Sequence, residues 1–148
     1  MSNTDRQVHP RTLAGATVLQ IVPALREEPV VRTALNVAFA LRQVGARALV
    51  AGEDGPLVAE LTASGGEWIP LVNTTVNPFR LWRSARALER LFTSERIDIV
   101  HAQSAGGAWI ANMAAARIGV WIVTTLPDVP PVSRMRAFGP PLSRVAIG

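Results

Sequence analysis

The sequence predicts an α/β fold of the Rossmann-like kind, a three-layer αβα arrangement around a parallel sheet. Three observations carry that prediction. Short apolar runs alternate with helically periodic segments along the chain, which is the pattern of stacked right-handed βαβ units. The apolar runs lack strict polar–apolar alternation, as strands do when helices cover both faces of their sheet. The clearest run, Ile97-Asp98-Ile99-Val100, leads into a polar His101-Ala102-Gln103-Ser104 turn and then a Gly106-Gly107 pair. In open parallel sheets ligands are met at such carboxyl strand ends.

The elements follow in order. Residues 1–15 are polar and irregular and read as a loose tail, leaving 16–148 as the domain. Thr17 to Val22 is a short run with β-branched residues, bounded by Pro23, and suits a buried first strand. Pro29 occupies a helix-opening position, with Glu27 and Glu28 placed to complement the helix dipole. Val37, Leu41 and Val44 recur at helical spacing, and Gly45 is a natural stop.

Ala46 to Ala51 reads as the second strand, and Pro56 to Thr62 as a short helix ended by Gly65-Gly66. Trp68 to Val72 is the third strand. Asn77-Pro78 supplies a cap followed by a first-turn proline. The helix they open extends to Glu95, with Leu81, Ala85, Leu88 and Phe92 on one face and Arg83, Arg86 and Arg90 on another. Ile97 to Val100 is the fourth strand, a helix from Ser104 to Ile118 follows, and Val120 to Thr125 is the fifth. Five prolines punctuate Leu126 to Pro141, and Ser143 to Ile147 is a candidate sixth strand.

A doubly wound order of 3-2-1-4-5 makes strands one and four neighbours at the switch point. The loops Ala24–Arg32 and His101–Gly107 then lie side by side, with Thr124–Asp128 flanking them.

Composition narrows the function classes. The chain has 148 residues, enough for one domain with a sizeable core, and 49% hydrophobic against 18% charged residues is a globular balance. All 15 basic side chains are arginine, so the basic character reflects guanidinium, and the net charge is only +4. The arginines are scattered, and nucleic acid is not an expected partner. The absence of cysteine excludes disulfides, thiolate zinc sites and a cysteine nucleophile. With only His9 and His101 a multi-histidine metal centre is also excluded, and no metal is expected.

The apolar stretch Leu13–Leu25 is interrupted by Gln20 and Pro23 and lacks a cleavage site. Asn112, Arg117 and Gly119 break the stretch Ala105–Val123. A soluble, cytoplasmic protein is expected.

The runs VLQIVPAL, ALRQVGARALVAG, GPLVAELTASGGEWIPL, NPFRLWRSARALERLFTSERIDIVHAQS and GVWIVTT together resemble the N-terminal domain of GT-B glycosyltransferases of the family 4 type. The likeness covers roughly Thr17 to Gly148, and DIVHAQS with the helix before it is its most specific part. The resemblance implies two Rossmann-like domains with a sugar-nucleotide donor between them. The N-terminal domain receives the acceptor, which is a lipid, a polysaccharide or a small molecule. The C-terminal domain holds the nucleotide, and transfer generally proceeds without a metal. The donor is then a co-substrate and no separate cofactor is expected.

The sequence departs from the family at three places. Where a glycine pair usually lets backbone N–H groups approach the donor diphosphate, this chain has Arg26-Glu27-Glu28-Pro29. Two carboxylates repel phosphate, and proline removes a donor. After the fifth strand, where the family carries a histidine in a Thr-x-His-like turn, stands Thr124-Thr125-Leu126-Pro127-Asp128. The nucleotide-gripping second domain, finally, is absent from this sequence and is expected either beyond Gly148 or on a partner chain.

The candidate substrate-binding residues are Arg26, Glu27, Glu28, Arg32, His101, Gln103, Ser104 and Thr125. His101 and Asp128 are the candidate catalytic residues. Each has a plainer reading beside the functional one. His101 either bonds a sugar hydroxyl or phosphate, or is a structural histidine on a backbone carbonyl. Gln103 and Ser104 are placed to contact an acceptor, but Ser104 fits a helix cap better. Gly106-Gly107 either admits an anion or allows close packing of helix on strand. Asp128 among prolines suits a turn better than a catalytic base. The arginine face of the helix 78–95, beside Trp82 and Phe92, either solvates or lies against anionic lipid at the inner membrane face, and solvation is the simpler reading. Trp109 and Trp121 are expected in the core.

The sequence thus points to the acceptor-side domain of a sugar-nucleotide-dependent glycosyltransferase, inactive as this chain alone. The alternative is a degenerate domain that binds or scaffolds without catalysis, or the remnant of a truncated gene.

Overall fold

The computed structural model of the chain describes residues 12–116, 118–125 and 145–147. Most of the tail, the segment carrying Asp128, and Arg117 lie outside these residues. Ten elements follow one another: β1 (Thr17–Ala24), α1 (Pro29–Gln43), β2 (Arg47–Glu53), α2 (Val58–Ala63), β3 (Glu67–Pro70), α3 (Pro78–Ser94), β4 (Ile99–Ala102), α4 (Ala105–Ala115), β5 (Trp121–Thr124) and β6 (Val145–Ile147). The sheet is parallel with order β3-β2-β1-β4-β5-β6, so β1 and β4 are neighbours at the switch point as the sequence predicts.

Strand β1 explains the lack of alternation seen in the sequence. Leu19 and Ile21 join one apolar cluster with Leu88 and Phe92 of α3 and Ile110 of α4. Val18 and Val22 join a second cluster with Val31, Ala34, Leu35 and Leu41 of α1 and Leu61 of α2. Both faces of the strand are covered, so every residue from Thr17 to Val22 is buried. Truncating a fully buried leucine such as Leu19 to alanine costs about 2–5 kcal/mol.

Several boundaries differ from the sequence reading, each for a local reason. Pro23 lies within β1 and does not bound it. The pairing register with β2 shifts between Ile21 and Ala24, which accommodates a residue with no ladder N–H. Strand β2 runs two residues beyond the predicted Ala51, to Glu53, and β3 starts earlier, at Glu67, and ends at Pro70. Arg47 joins these elements at the amino end of the sheet, pairing with Glu67 at 2.6 Å and with Glu95 at the end of α3 at 2.5 Å.

Strand β4 begins at Ile99, because the two residues before it serve other contacts. The Ile97 N–H closes the end of α3 on Phe92 O at 3.1 Å, and the Asp98 carboxylate accepts the Thr17 N–H at 2.8 Å. The strand continues through Ala102, so His101 lies within it and not in the turn. Helix α2 starts at Val58, since Pro56 and Leu57 form the preceding turn. Helix α4 ends at Ala115, short of the predicted Ile118.

The tryptophans divide. Trp109 packs against the first apolar cluster. Trp121 is 60% exposed, which overturns its expected place in the core. It stands in register with Ile99, while among the described residues α1 packs chiefly on β1 and β2.

No helix among the described residues is long and apolar enough to cross a membrane.

Candidate functional site

The carboxyl ends of β1, β4 and β5 hold the candidate site. Parallel pairing sets Gln20 beside His101, and His101 beside Val123. Gln20 is fully buried in the central strand, and its amide must be satisfied inside the protein. Its Nε2 donates to Ala34 O of α1 at 2.8 Å, and its Oε1 accepts from Gln103 Nε2 at 2.8 Å. Gln103 Nε2 also lies 3.4 Å from His101 Nδ1, and His101 Nε2 lies 3.0 Å from Thr125 Oγ1. Backbone bonds fix the same residues: Gln103 N–H donates to Ile21 O at 2.9 Å and Thr125 N–H to Ala102 O at 3.0 Å.

His101 is half-buried, and burial pulls its pKa below the ordinary value of 6.5, which leaves the imidazole neutral at pH 7. Its hydrogen-bond partners are the side chains of Thr125 and Gln103, and the alternative of a structural bond to a backbone carbonyl is not seen among the described residues. Thr125 is exposed where β5 ends.

Ser104 caps α4, accepting the Gly107 N–H at 3.0 Å. It also donates toward Asn73 Oδ1 at 3.5 Å. Asn73 is buried in the connection between β3 and α3, and its Nδ2 donates to Val22 O at 2.8 Å. That connection therefore crosses the end of β1 and reaches α4. The glycine pair exists for this contact. A Cβ on Gly106 would stand 2.0 Å from Asn73 O, and one on Gly107 would stand 2.7 Å from both Ile21 Cγ2 and Ser104 Oγ. Close packing, the plainer of the two readings, thus accounts for both glycines.

The β1–α1 loop is organised differently from expectation. Glu28 is the N-cap position of α1 but its side chain caps nothing, and no acidic residue lies in the first turn. Glu27 instead pairs with Arg32, through Nε at 3.1 Å and through the second guanidinium arm at 2.5 Å. The hydrogen bond from Arg32 lowers the Glu27 pKa, and the bonds from Glu27 and Glu60 raise that of Arg32. Glu60 belongs to α2, so Arg32 is turned toward that helix. Arg26, next to this network, is exposed. Among the described residues no hydrogen bond or ion pair joins Arg26, Glu27, Glu28 or Arg32 to His101, Gln103, Ser104 or Thr125. The predicted lining thus falls into two groups. Asp128 lies outside the described residues.

A cleft of about 350 Å³ opens at the carboxyl ends of β2 and β3. Glu53, Asp54, Trp68, Thr74, Thr75 and Arg80 line it together with apolar Leu71 and Val72. Thr74 Oγ1 donates to Glu53, and Trp68 Nε1 donates to Gly52 O at 3.2 Å. Carboxylates, hydroxyls, a guanidinium and an indole together suit a ligand rich in hydroxyl groups.

Sequence reasoning passed over this cleft, Gln20 and Asn73. A lone glutamine inside TVLQIV was the available signal, because a polar side chain in a doubly covered strand requires partners. No group of three or more His, Cys, Asp or Glu among the described residues is placed to hold a metal.

The family model for Glycosyltransferase Family 4 matches residues 30–145. The fold is similar to a glycosyltransferase of Rickettsia africae at TM-score 0.71 and 26% identity, over 82% of this chain and 33% of that one. Acinetobacter baumannii MurG matches at TM-score 0.60 and 16% identity, covering 88% of this chain and 44% of its own. Anabaena HepE, solved in complex with UDP and glucose, matches at 0.62 and 16% over 77% and 30%. The chain thus spans less than half the length of each. No curated protein matches it.

Proposed function

The chain belongs to Glycosyltransferase Family 4, and on that premise we propose that it forms the acceptor side of a sugar-nucleotide-dependent transferase. One observation supports this above the others: a neutral His101 bonded to an exposed Thr125 at the switch point. The acceptor lies over the carboxyl ends of β1, β4 and β5, with His101, Gln103, Ser104 and Thr125 nearest the reacting hydroxyl. The cleft at β2 and β3 takes the remainder of the acceptor. The nucleotide-sugar donor is a co-substrate held mainly by a second domain or a partner chain, and this chain alone does not catalyse transfer.

The test is a transfer assay on the protein as its native cells make it. Labelled UDP-glucose is the first donor, since HepE of similar fold was solved with UDP and glucose. Acceptors are extracted lipids, oligosaccharides and small polyols in separate reactions. Incorporation lowered by His101→Asn supports the reading. No incorporation from any common nucleotide sugar overturns it.

Helix α3 adds a membrane component to the proposal. Phe79 and Trp82 are exposed and stacked with ring centroids 6.2 Å apart, and Arg86 lies 5.8 Å from the Trp82 ring centre. Val76 beside them is 97% exposed. An aromatic pair flanked by arginines suits the headgroup region of an anionic leaflet on the cytoplasmic side.

The second reading, a non-catalytic binding domain, is favoured by one observation. Arg32, in the first turn of α1, is already engaged by Glu27 and Glu60 beside the loop where a donor diphosphate would approach. Replacing Glu27 and Glu28 by glycine separates the two readings, since a gain in nucleotide-sugar affinity marks a degraded donor contact.

A further inference from the structure

The hydrogen bonds behind His101 have only one consistent direction. Ala34 O can only accept, so the Gln20 atom facing it is the amide nitrogen and the other Gln20 atom is an acceptor. The Gln103 atom 2.8 Å from Gln20 Oε1 is therefore also a nitrogen. An amide nitrogen carries a second hydrogen, and the group facing it at 3.4 Å is His101 Nδ1. In a neutral imidazole this makes Nδ1 the acceptor and puts the ring proton on Nε2. Nε2–H then donates to Thr125 Oγ1 at 3.0 Å, and the Thr125 hydroxyl proton is left to point outward.

We propose that Gln20 and Gln103 are positioning residues, a buried relay from the α1 backbone that fixes His101 as the Nε2–H tautomer and thereby presents the Thr125 hydroxyl as a donor. His101 in this state acts through Thr125 on an acceptor oxygen outside the protein, and it is not the base that removes a proton from it. The relay is anchored on a helix backbone and not on another mobile side chain. Gln20 is fully buried and Gln103 is 4% exposed, so water does not compete for either amide. The role in transfer rests on the transferase reading above, whereas the tautomer does not.

The test is the imidazole nitrogen spectrum of the 15N-labelled chain above the titration range of His101, with His9→Asn to assign the only other histidine. The expected pattern is a pyridine-type Nδ1 and a pyrrole-type Nε2. Gln103→Met should mix the tautomers, and Gln103→Glu should move the proton to Nδ1 by supplying an acceptor there. Gln20→Met, which removes a group with no bond to the ring, should also mix them. That effect at one remove separates a relay from simple packing.

A wild-type proton on Nδ1 overturns the proposal, as does a tautomer ratio unchanged in both methionine variants. The wild-type measurement decides even where a variant fails to fold. Absence of transfer by the wild type, with the tautomer as expected, sinks only the transferase reading.

Discussion

His101 Nε2 and Thr125 Oγ1 lie 3.0 Å apart across the neighbouring strands β4 and β5, and they join two residues 24 positions apart into one polar pair. Neither is a charged group at pH 7, so the pair acts by hydrogen bonding rather than by field. Thr125→Val in the intact transferase should therefore lower kcat/KM by up to about tenfold, the equivalent of one neutral hydrogen bond of about 0.5–1.5 kcal/mol. Transfer kinetics with the preferred acceptor measure it. A loss of many powers of ten would assign Thr125 a role beyond donation.

The burial of His101 fixes the sign of a pH effect. Its folded pKa lies below the unfolded value near 6.5, so the unfolded chain binds more protons between the two. Its contribution to stability is complete above the unfolded value. It is lost progressively as pH falls through that value toward the folded one. Thermal unfolding between about pH 8 and 5 should show the wild type losing Tm on acidification more steeply than His101→Asn. Equal slopes would show that the burial is relieved in solution.

Packing at the start of α4 predicts a second stability effect. Gly106→Ala places a methyl 2.0 Å from a backbone oxygen of Asn73, and neither partner is a flexible side-chain end. Overpacking of this kind costs about 1–3 kcal/mol, more than the roughly 0.5–1 kcal/mol that alanine gains over glycine in a helix. Ser104→Ala should cost about 0.5–2 kcal/mol through the lost cap. Urea titrations read both, and a Gly106→Ala variant as stable as wild type would refute the clash.

The carboxylates around Arg32 should matter little for folding. The side chains of Arg32, Glu27 and Glu60 are 36%, 68% and 53% exposed. Exposed pairs of this kind contribute little to stability, so Glu60→Gln should leave the urea midpoint nearly unchanged. A large drop would show the loop to be a structural clamp.

Phe79→Ser with Trp82→Ser should weaken binding to vesicles of mixed phosphatidylglycerol and phosphatidylcholine by about tenfold or more. Partial burial of two aromatic rings is worth at least the ~1.4 kcal/mol that a tenfold change requires. Co-sedimentation measures it, and equal retention of wild type and variant would remove the membrane component.

The fold was legible because its signals are local. Pro29, Asn77-Pro78, Ser104 and the glycine stops mark helix ends by backbone geometry alone, and apolar runs mark the strands. The positions of His101, Gln103 and Thr125 at the ends of β4 and β5 were legible because strand ends follow from strands. The split between those residues and Arg26–Arg32 was not, since it depends on Glu60, 28 positions from Arg32, presenting a carboxylate from another helix. Asn73 was hidden for the same reason: its partners Val22 and Ser104 lie 51 and 31 positions away. Trp121 was misplaced because hydrophobicity says that a side chain prefers cover, not that a helix extends far enough to supply it.

The sheet order carries a consequence for how the chain comes to be folded during its own synthesis. Among the described strands β1 leaves the ribosome first, yet one of its two flanks is filled by β4, some 80 residues later. Until then β1 has only β2 beside it and an open row of amides and carbonyls on the other side. The central strand is thus paired on one side early and on the other only later, so nascent chains of this protein carry a bare sheet edge until β4 emerges.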